Sequence, residues 1–368
     1  MSVEEHRFPC LQCGADARFD PVNAQLVCDY CGHAQPIDDA GPWSNPIREL
    51  DFQQALSADL PESDWEETRV VTCPDCAAQF ELGQETHAAE CPFCATPVVT
   101  DTGTHRHIKP HGLLPFGIDE GQAREAMGAW LGKLWFAPNG LDQFARKGRK
   151  MQGMYVPFWT FDAQTASSYT GERGTDYYVS RTVTRNGKTQ TIRERRTQWR
   201  SASGRVARFF DDILVMASKS LPQKHIDDLA PWDLPDLEPY LPEYLAGYRA
   251  EAYTVELDEG YERARDHMDR VILRDVKFDI GGDRQRVHSV NTKVSDVTFK
   301  HVLLPVWMAA YKFRGETYRV VINGRSGRVS GQRPWSFWKI LLAVLAGLLV
   351  AGGIGYFIAS NPELFSDV

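Results

Sequence analysis

The sequence lacks the motifs that mark several large enzyme classes. It contains no Gly-x4-Gly-Lys-Ser/Thr loop, so a P-loop motor would have no phosphate cradle. It contains neither His-Glu-x-x-His nor Gly-x-Ser-x-Gly, the patterns of zinc proteases and serine hydrolases. All eight cysteines belong to paired motifs, so none is left over as a nucleophile. These absences predict a protein that is not an enzyme.

An amino-terminal export signal is also missing, because the first residues, MSVEEHRFPC, have no basic start and no apolar core. We therefore expect the amino-terminal part of the chain to stay in the cytoplasm, where cysteines remain reduced. The mean hydropathy of −0.38 excludes a protein with many membrane spans. The chain is 43% hydrophobic and 24% charged, which excludes a wholly disordered or fibrous protein.

Positive charge is scarce in the first 105 residues, which hold four arginines, no lysine and nineteen acidic residues. A region of this sign repels phosphate, whereas nucleic-acid binding needs clustered cations. We therefore expect this region to bind protein partners rather than nucleic acid.

The sequence does contain four Cys-x2-Cys pairs, with fourteen residues between the two pairs of each half. Two such turns can direct four thiolates at one ion. The pattern predicts two zinc ribbons with one structural Zn²⁺ each, and iron, disulfides or redox chemistry are the alternatives. The predicted ligands are Cys10, Cys13, Cys28 and Cys31 in the first ribbon and Cys73, Cys76, Cys91 and Cys94 in the second. The predicted boundaries are 1–38 for the first ribbon, 39–70 for a linker and 71–100 for the second ribbon.

An apolar run without charge or proline occupies residues 340–359. A helix of this length crosses the hydrocarbon core of a bilayer, and aromatic residues flank the run as in interfacial belts. We predict one transmembrane helix over 337–360 and a short tail over 361–368, with a buried core helix as the alternative. Basic residues precede the run, which predicts a tail-anchored protein of the inner membrane with its amino-terminal domain in the cytoplasm. They are Arg325, Arg328, Arg333 and Lys339.

Small residues recur at every fourth position of this predicted helix, among them Gly347, Ala351 and Gly355. Such a stripe lets two membrane helices approach closely. We therefore expect helix-mediated oligomers, with an identical or a different partner.

Residues 106–334 predict an α+β body with an antiparallel sheet. Helical periodicity predicts one helix from Asp119 to about Leu134 and another from Asp258 to about Val271. Alternation on both sides of Asn186-Gly187 predicts a β-hairpin. Further strands are expected over 155–163, 206–218, 299–314 and 317–322.

The two halves of this body share short motifs. Ile118-Asp-Glu-Gly resembles Leu257-Asp-Glu-Gly, and Tyr155-Val-Pro-Phe-Trp resembles Leu303-Leu-Pro-Val-Trp. This similarity predicts an internal duplication of about 107–218 and 250–330.

Positive charge concentrates in residues 145–208, which hold fourteen basic and four acidic residues. The alternatives are a solvated face, contact with anionic lipid, contact with nucleic acid, and docking of the acidic ribbons. The hairpin at 181–200, with Arg193, Arg195 and Arg196, is the candidate surface.

Two small polar groups are expected to have structural roles. Asp211 and Asp212 are predicted to lie in a strand-end turn. His105, His107 and His111 are predicted to lie in an exposed segment after the second ribbon, with metal binding as the alternative.

Several stretches of the body resemble those of uncharacterised bacterial membrane proteins with an amino-terminal TFIIB-type zinc ribbon. The stretches are Ile108-Lys-Pro…Leu-Pro-Phe116, Tyr155-Val-Pro-Phe-Trp-Thr-Phe-Asp162, Pro239-Tyr…Tyr244-Leu-Ala-Gly247, Leu303-Leu-Pro-Val-Trp307 and Val321-Ile-Asn-Gly…Gly327-Arg-Val…Gly331. Some members are labelled primosomal protein N′ or superfamily II helicase, an activity that would require the missing motor motifs. The architecture is similar to that of membrane proteins associated with SPFH-type or phage-shock-type membrane proteins, and the resemblance implies such partners.

These observations together predict a non-enzymatic, tail-anchored adaptor that recruits protein partners at the cytoplasmic face of the membrane. The alternative is a nucleic-acid-binding zinc-ribbon protein, associated with replication or a helicase, that uses the basic hairpin around 181–200.

Overall fold

The computed structural model describes residues 8–37, 47–57, 59–74, 78–81, 88–91, 97–99, 103–138, 151–185, 188–314 and 316–360. In these ranges the chain is a mixed α/β protein with four sheets and five α-helices. The predicted mixture of helices and sheets is confirmed at this level.

The amino-terminal third of the chain forms three small sheets and one short helix. The first sheet contains β1 (Ala17–Asp20), β2 (Gln25–Cys28) and β3 (Ala34–Gln35) in sequential order. It is followed by β4 (Leu50–Asp51), helix α1 (Phe52–Leu56) and a 3-10 turn (Glu62–Asp64). The next strands are β5 (Trp65–Thr72), β6 (Gln79–Glu81), β7 (Ala88–Glu90), β8 (Pro97–Val99) and β9 (Gly103–Ile108).

Part of the segment that we expected to be a linker is packed against the body. β4 pairs with a long body strand through Leu50 and Phe299, and Leu50, Phe52 and Leu60 are buried in the same apolar cluster as that strand. Burial of these side chains attaches this segment to the body.

The body and the carboxyl-terminal helix complete the fold. The body elements are β10 (Gly112–Leu113), α2 (Glu120–Gly132), β11 (Gln152–Arg185), β12 (Lys188–Met216), α3 (Gln223–Leu229), β13 (Glu238–Pro239), β14 (Arg249–Ala250), α4 (Leu257–Ile280), β15 (Arg284–Phe313), β16 (Glu316–Asn323) and β17 (Val329–Gly331). Two 3-10 turns cover Leu234–Asp236 and Pro242–Leu245. The last helix is α5 (Phe337–Ser360).

The predicted body elements are present, but several are longer than the local pattern indicates. The second strand of the predicted hairpin and the segment predicted over 206–218 belong to one strand, β12. Helix α4 continues nine residues past Val271. The first half of β15 was missed. Valines 287, 290, 294 and 297 have a helical spacing in the sequence, which hides the strand. The strand can contain this spacing because a positive φ at Asp296 and a register shift near Gly171 interrupt the two-residue alternation.

The body repeats one set of contacts about a local two-fold axis. β11 and β15 run antiparallel, and Val156 pairs with Leu304 at the axis. On either side of it, Tyr155 pairs with Pro305 and Pro157 with Leu303. Four hydrogen bonds of one half each have a counterpart in the other half. Leu114 N to Leu303 O corresponds to Glu251 N to Tyr155 O, and Ile118 N to Gly324 O corresponds to Val255 N to Ala217 O. Likewise, Gly324 N to Pro305 O corresponds to Ala217 N to Pro157 O, and Trp307 Nε1 to Ile118 O corresponds to Trp159 Nε1 to Val255 O.

Three very long strands, β11, β12 and β15, form the central sheet of the body. β11 pairs with β15 from Gln152 to Gly174, and beyond Gly174 it pairs only with β12, up to Arg185 opposite Lys188. Every fourth residue of helix α4, from Gly260 to Ile280, is buried as the helix packs on this sheet. The helix ends at the level of Gly174. The last eleven residues of β11 therefore belong to a two-stranded hairpin that projects by about 36 Å.

The hairpin tip and the start of α5 lie at opposite ends of this sheet. β15 runs past the beginning of β11 to Phe313, where it turns into β16. β17 pairs with β16 and carries the chain back toward the same end, and Tyr311 Oη donates to Gln332 O just before α5. The 34 residues of β11 therefore separate the two features by about 110 Å of strand.

Candidate metal centre and other polar sites

The first four predicted ligands meet at one point. Their sulfur atoms all lie within 4.8 Å of one another. Cys10 Sγ lies 3.6 Å from Cys31 Sγ, and Cys13 Sγ lies 3.5 Å from Cys28 Sγ. One cysteine of each pair is buried and the other is exposed. This quartet could bind a metal ion.

Each pair of the quartet occupies the same backbone turn. Cys10 N donates to Ala15 O, and Gly14 N donates to Cys10 O; the second pair repeats both bonds around Cys28. Gly14 and Gly32 close the turns with φ values of 74° and 72°. A residue with a Cβ atom is strained at such angles, which explains the glycine after each second cysteine.

The thiols of this quartet affect each other's ionisation. Burial raises the pKa of Cys10, but N–H groups of Cys13 and Gln12 outweigh it and lower the pKa to about 6. The N–H of His33 lowers the pKa of Cys31, but burial and the neighbouring thiols outweigh it and raise the pKa to about 12. A bound cation would stabilise all four thiolates together.

The second quartet is only half described. Cys73 and Cys91 are buried in the apolar cluster that holds Phe80, whereas Cys76 and Cys94 lie outside the described residues. Cys73 N donates to Ala78 O at 2.8 Å, which is the bond that Cys10 makes to Ala15. The described part of this turn therefore has the geometry of the first quartet.

Both cysteine modules are docked on the body. In the first, Phe19 is 1% exposed, its N–H donates to Ala246 O, and its ring meets Tyr244 edge to face at 5.1 Å. In the second, Phe80 forms a bridge with Glu251. Sequence reasoning did not find this docking, because the contacts come from residues more than one hundred positions away.

Two of the three histidines after the second module, His107 and His111, are not in an exposed segment, so the prediction was wrong for these two. His107 is buried at the end of β9, and His111 lies 3.6 Å from Asp64. The side chain of His105 lies outside the described residues. Asp211 and Asp212 are not at a strand end either: they lie within β12 at a bulge, and Asp212 contacts Lys300 at 2.8 Å.

A small buried cavity that the sequence did not indicate lies between the second module and the body. Glu251 and His301 line it together with Glu66, His107 and Tyr253. Ser218 donates to Glu251 Oε1 at 2.5 Å, whereas Glu251 Oε2 and His301 Nε2 are buried without a hydrogen-bond partner among the described residues. Its volume of about 20 Å³ is enough for one water molecule.

The two buried groups of this cavity are held neutral. Burial raises the pKa of Glu251 to about 8, although Ser218 and Ser220 lower it in part. Burial lowers the pKa of His301 to about 3. His301 Nδ1 lies 2.8 Å from Ile108 O and must donate to it, so Nε2 is a bare acceptor on a residue that lines the same cavity as Glu251.

The projecting hairpin is basic on both faces. Tyr178, Arg193 and Arg195 lie on one face, and Tyr177 and Arg196 lie on the other. Arg195 is 3.5 Å from Asp176, and Arg196 is 3.2 Å from Glu194. None of Arg181, Arg193 and Arg200 forms an ion pair with a described side chain. Three cations and two tyrosine rings are therefore available to a partner.

Helix α5 is long and apolar enough to cross a membrane: residues Phe337–Ile358 have a mean hydropathy of 2.3, and none of this stretch is buried inside the chain. This confirms the predicted apolar helix and is compatible with membrane association. Gly347 and Gly355 have open space beside them, so the predicted small-residue stripe is accessible along the helix.

Comparison with known proteins gives one informative similarity. No family model matches the chain, and no solved structure matches it. Among curated proteins the chain is similar to the uncharacterized protein YdjG of Bacillus subtilis (strain 168), with 27% identity over 355 residues. The alignment covers 94% of each chain, so the similarity extends over almost the whole protein rather than over one module.

Proposed function

We propose that this protein is a membrane-anchored adaptor that is not an enzyme. The observation that carries the proposal is the placement of α5 and of the basic hairpin at opposite ends of one continuous sheet. A protein anchored through α5 holds its hairpin about 110 Å of strand away from the anchor. Such an arrangement suits recruitment, because tethering raises the local concentration of a bound partner.

The metal in this proposal is zinc, one ion per cysteine quartet. A tetrahedral site with Zn–S bonds of about 2.3 Å requires sulfur atoms about 3.8 Å apart. In the first quartet two sulfur–sulfur distances are 3.5 and 3.6 Å, and all four sulfur atoms lie within 4.8 Å of one another, which is compatible with that value. Four thiolates fill the coordination sphere, so the ions have a structural role and stabilise the docked modules.

The docked modules are the proposed protein-binding surface, because their acidic residues greatly outnumber their basic ones. SPFH-type or phage-shock-type membrane proteins, the partners that the family resemblance implies, are the proposed class. The two matched halves of the body favour an internal duplication, and the accessible stripe at Gly347, Ala351 and Gly355 favours pairing of anchors.

Removing residues 340–359 tests the anchor. We expect the shortened protein to move from the membrane pellet to the soluble fraction, because the deletion removes an unburied apolar helix that is long enough to cross a membrane. Fractionation before and after a carbonate wash is the measurement. The control replaces Gly347 and Gly355 by leucine, which should leave the protein in the pellet. A shortened protein that stays in the pellet after the wash contradicts the proposed anchor.

A second candidate function is nucleic-acid binding through the hairpin. Both faces of the hairpin are basic, which suits a ribbon that enters a groove between two rows of phosphates, and the major groove of B-DNA admits a two-stranded ribbon. The acidic modules do not cancel this charge. They dock near Gly153, about 80 Å of strand from Tyr177, whereas charges are screened over about 10 Å.

The triple variant Arg193→Gln, Arg195→Gln and Arg196→Gln tests this candidate. If it is right, the full chain binds duplex DNA at low salt, and the variant loses at least about tenfold in affinity together with most of the salt dependence. Fluorescence anisotropy at several salt concentrations is the measurement. The matched control is Lys219→Gln, Lys224→Gln and Arg274→Gln, which removes the same charge elsewhere. Equal losses in both variants, or no binding at low salt, reject nucleic acid as the partner of the hairpin.

A further inference from the structure

An exposed aromatic residue of the body lies directly beside the start of α5. Trp135 follows helix α2 and is 80% exposed. Its neighbour Phe136 accepts a hydrogen bond from Ser336 N at 2.8 Å, and its ring lies 6.5 Å from that of Trp335. The body turn that contains Trp135 is thus fixed to the residues that precede the apolar helix.

A second bond ties the same turn to the first turn of α5. Lys339 Nζ donates to Ala137 O at 2.8 Å, and Ala137 is buried in the main apolar cluster. Because one bond lies before the helix and the other within it, the body turn cannot move along the helix axis independently of Phe337. Its depth relative to a bilayer is therefore set by the anchor.

The chemistry of this region matches the boundary between lipid headgroups and acyl chains. Trp335, Phe337 and Trp338 are all more than half exposed, and the Arg333 guanidinium stacks on the Trp335 ring at 4.3 Å. Tryptophan prefers this boundary because its ring is apolar and its N–H is polar. The cations of Lys133 and Arg333 lie in the same region, where anionic headgroups attract them.

We infer that the body has a second contact with the bilayer, in which Trp135 inserts into the headgroup region beside the first turn of α5. The inference rests on the proposed anchoring by α5. A contact at one point lets the body swivel about the anchor, whereas two contacts on different elements fix its tilt. The sheet then leaves the membrane in a defined direction, with the hairpin at its far end.

Fluorine NMR of the full chain in lipid nanodiscs tests this inference. The ten tryptophans are replaced biosynthetically by 5-fluorotryptophan, and the variants Trp135→Phe, Trp338→Phe and Trp199→Phe assign three signals by their disappearance. Lipids with a nitroxide near the headgroup then broaden the signals of side chains at that depth. Trp338 reports on the anchor, and Trp199, on the arm that leads to the hairpin tip, is the control far from the membrane.

We expect the Trp135 and Trp338 signals to lose most of their intensity and the Trp199 signal to keep it. A Trp338 signal that is lost while Trp135 keeps its intensity overturns the second contact and leaves the anchor in place. Full intensity of both signals overturns the second contact and the proposed anchoring together. Loss of the Trp199 signal along with the other two also overturns the inference, since the arm would then lie on the bilayer.

Discussion

Replacing Cys28 by serine should remove one of the two proposed zinc ions and unfold the first module. The cysteine is buried, and its sulfur lies 3.5 Å from that of Cys13. A serine oxygen is a poor substitute for a thiolate, and structural zinc contributes about 10–16 kcal/mol to the folding of small modules. The loss should reach the body, because Phe19 would leave its contacts with Ala246 and Tyr244. Metal analysis of the purified protein gives the stoichiometry, and limited proteolysis reports the unfolding.

The matched control for this variant is Gln12→Ser in the same turn. Gln12 is exposed and approaches the site only through its main-chain N–H, which lies 3.4 Å from Cys10 Sγ and remains in the variant. The control should keep both ions and resist the protease. Cys73→Ser should also lose one ion, from the second module. Wild-type zinc content in the Cys28 variant would reject the first quartet as a metal site.

Replacing Glu251 by glutamine should remove a pH dependence from the free energy of unfolding. The pKa of Glu251 is about 8 in the folded protein and about 4.5 when it is unfolded. The folded state therefore binds more protons between these values, so the stability of the wild type falls as the pH rises from about 4.5 to about 8. The slope approaches about 1.4 kcal/mol per pH unit. Glutamine still accepts the hydrogen bond from Ser218 and cannot ionise.

His301 produces the opposite slope in the acid range. Its pKa is about 3 in the folded protein and about 6.5 when it is unfolded, so stability rises with pH between these values. The two slopes offset each other between about pH 4.5 and 6.5, and only the Glu251 slope remains between about pH 6.5 and 8. Urea unfolding of the detergent-solubilised chain in that upper window is the measurement. The free-energy difference between Glu251→Gln and wild type should grow with pH and become constant above about pH 8. A difference that does not change with pH would show that Glu251 ionises normally in the folded protein.

The parts of this protein that depend on local spacing were predictable. The four Cys-x2-Cys pairs indicate a metal module because ligand spacing within a turn determines which thiolates can meet. Helix α2 begins at the predicted position because Asp119 and Gln122 form a capping box within four residues. The hairpin register followed from the alternation on both sides of Asn186-Gly187, and Arg185 indeed pairs with Lys188.

The parts that depend on distant contacts were not predictable from the pattern. Glu251 lies in a polar stretch that gives no sign of burial, and it is enclosed only because β6, β11 and the segment after β12 converge on it. His107 was predicted to be exposed for the same reason, since its environment comes from Tyr253 and the other residues around the cavity. The docking of the cysteine modules likewise needs partners from the second half of the body.

The sequence by itself determined the first cysteine quartet, the apolar helix and the mixture of helices and strands, because each depends on residue types at short and regular spacing. Only the tertiary structure decided that the basic hairpin and the apolar helix leave opposite ends of one sheet. That arrangement follows from the register of β11, β15, β16 and β17. The register of β11 against β15 is fixed by pairing between residues more than one hundred positions apart, which no local pattern contains.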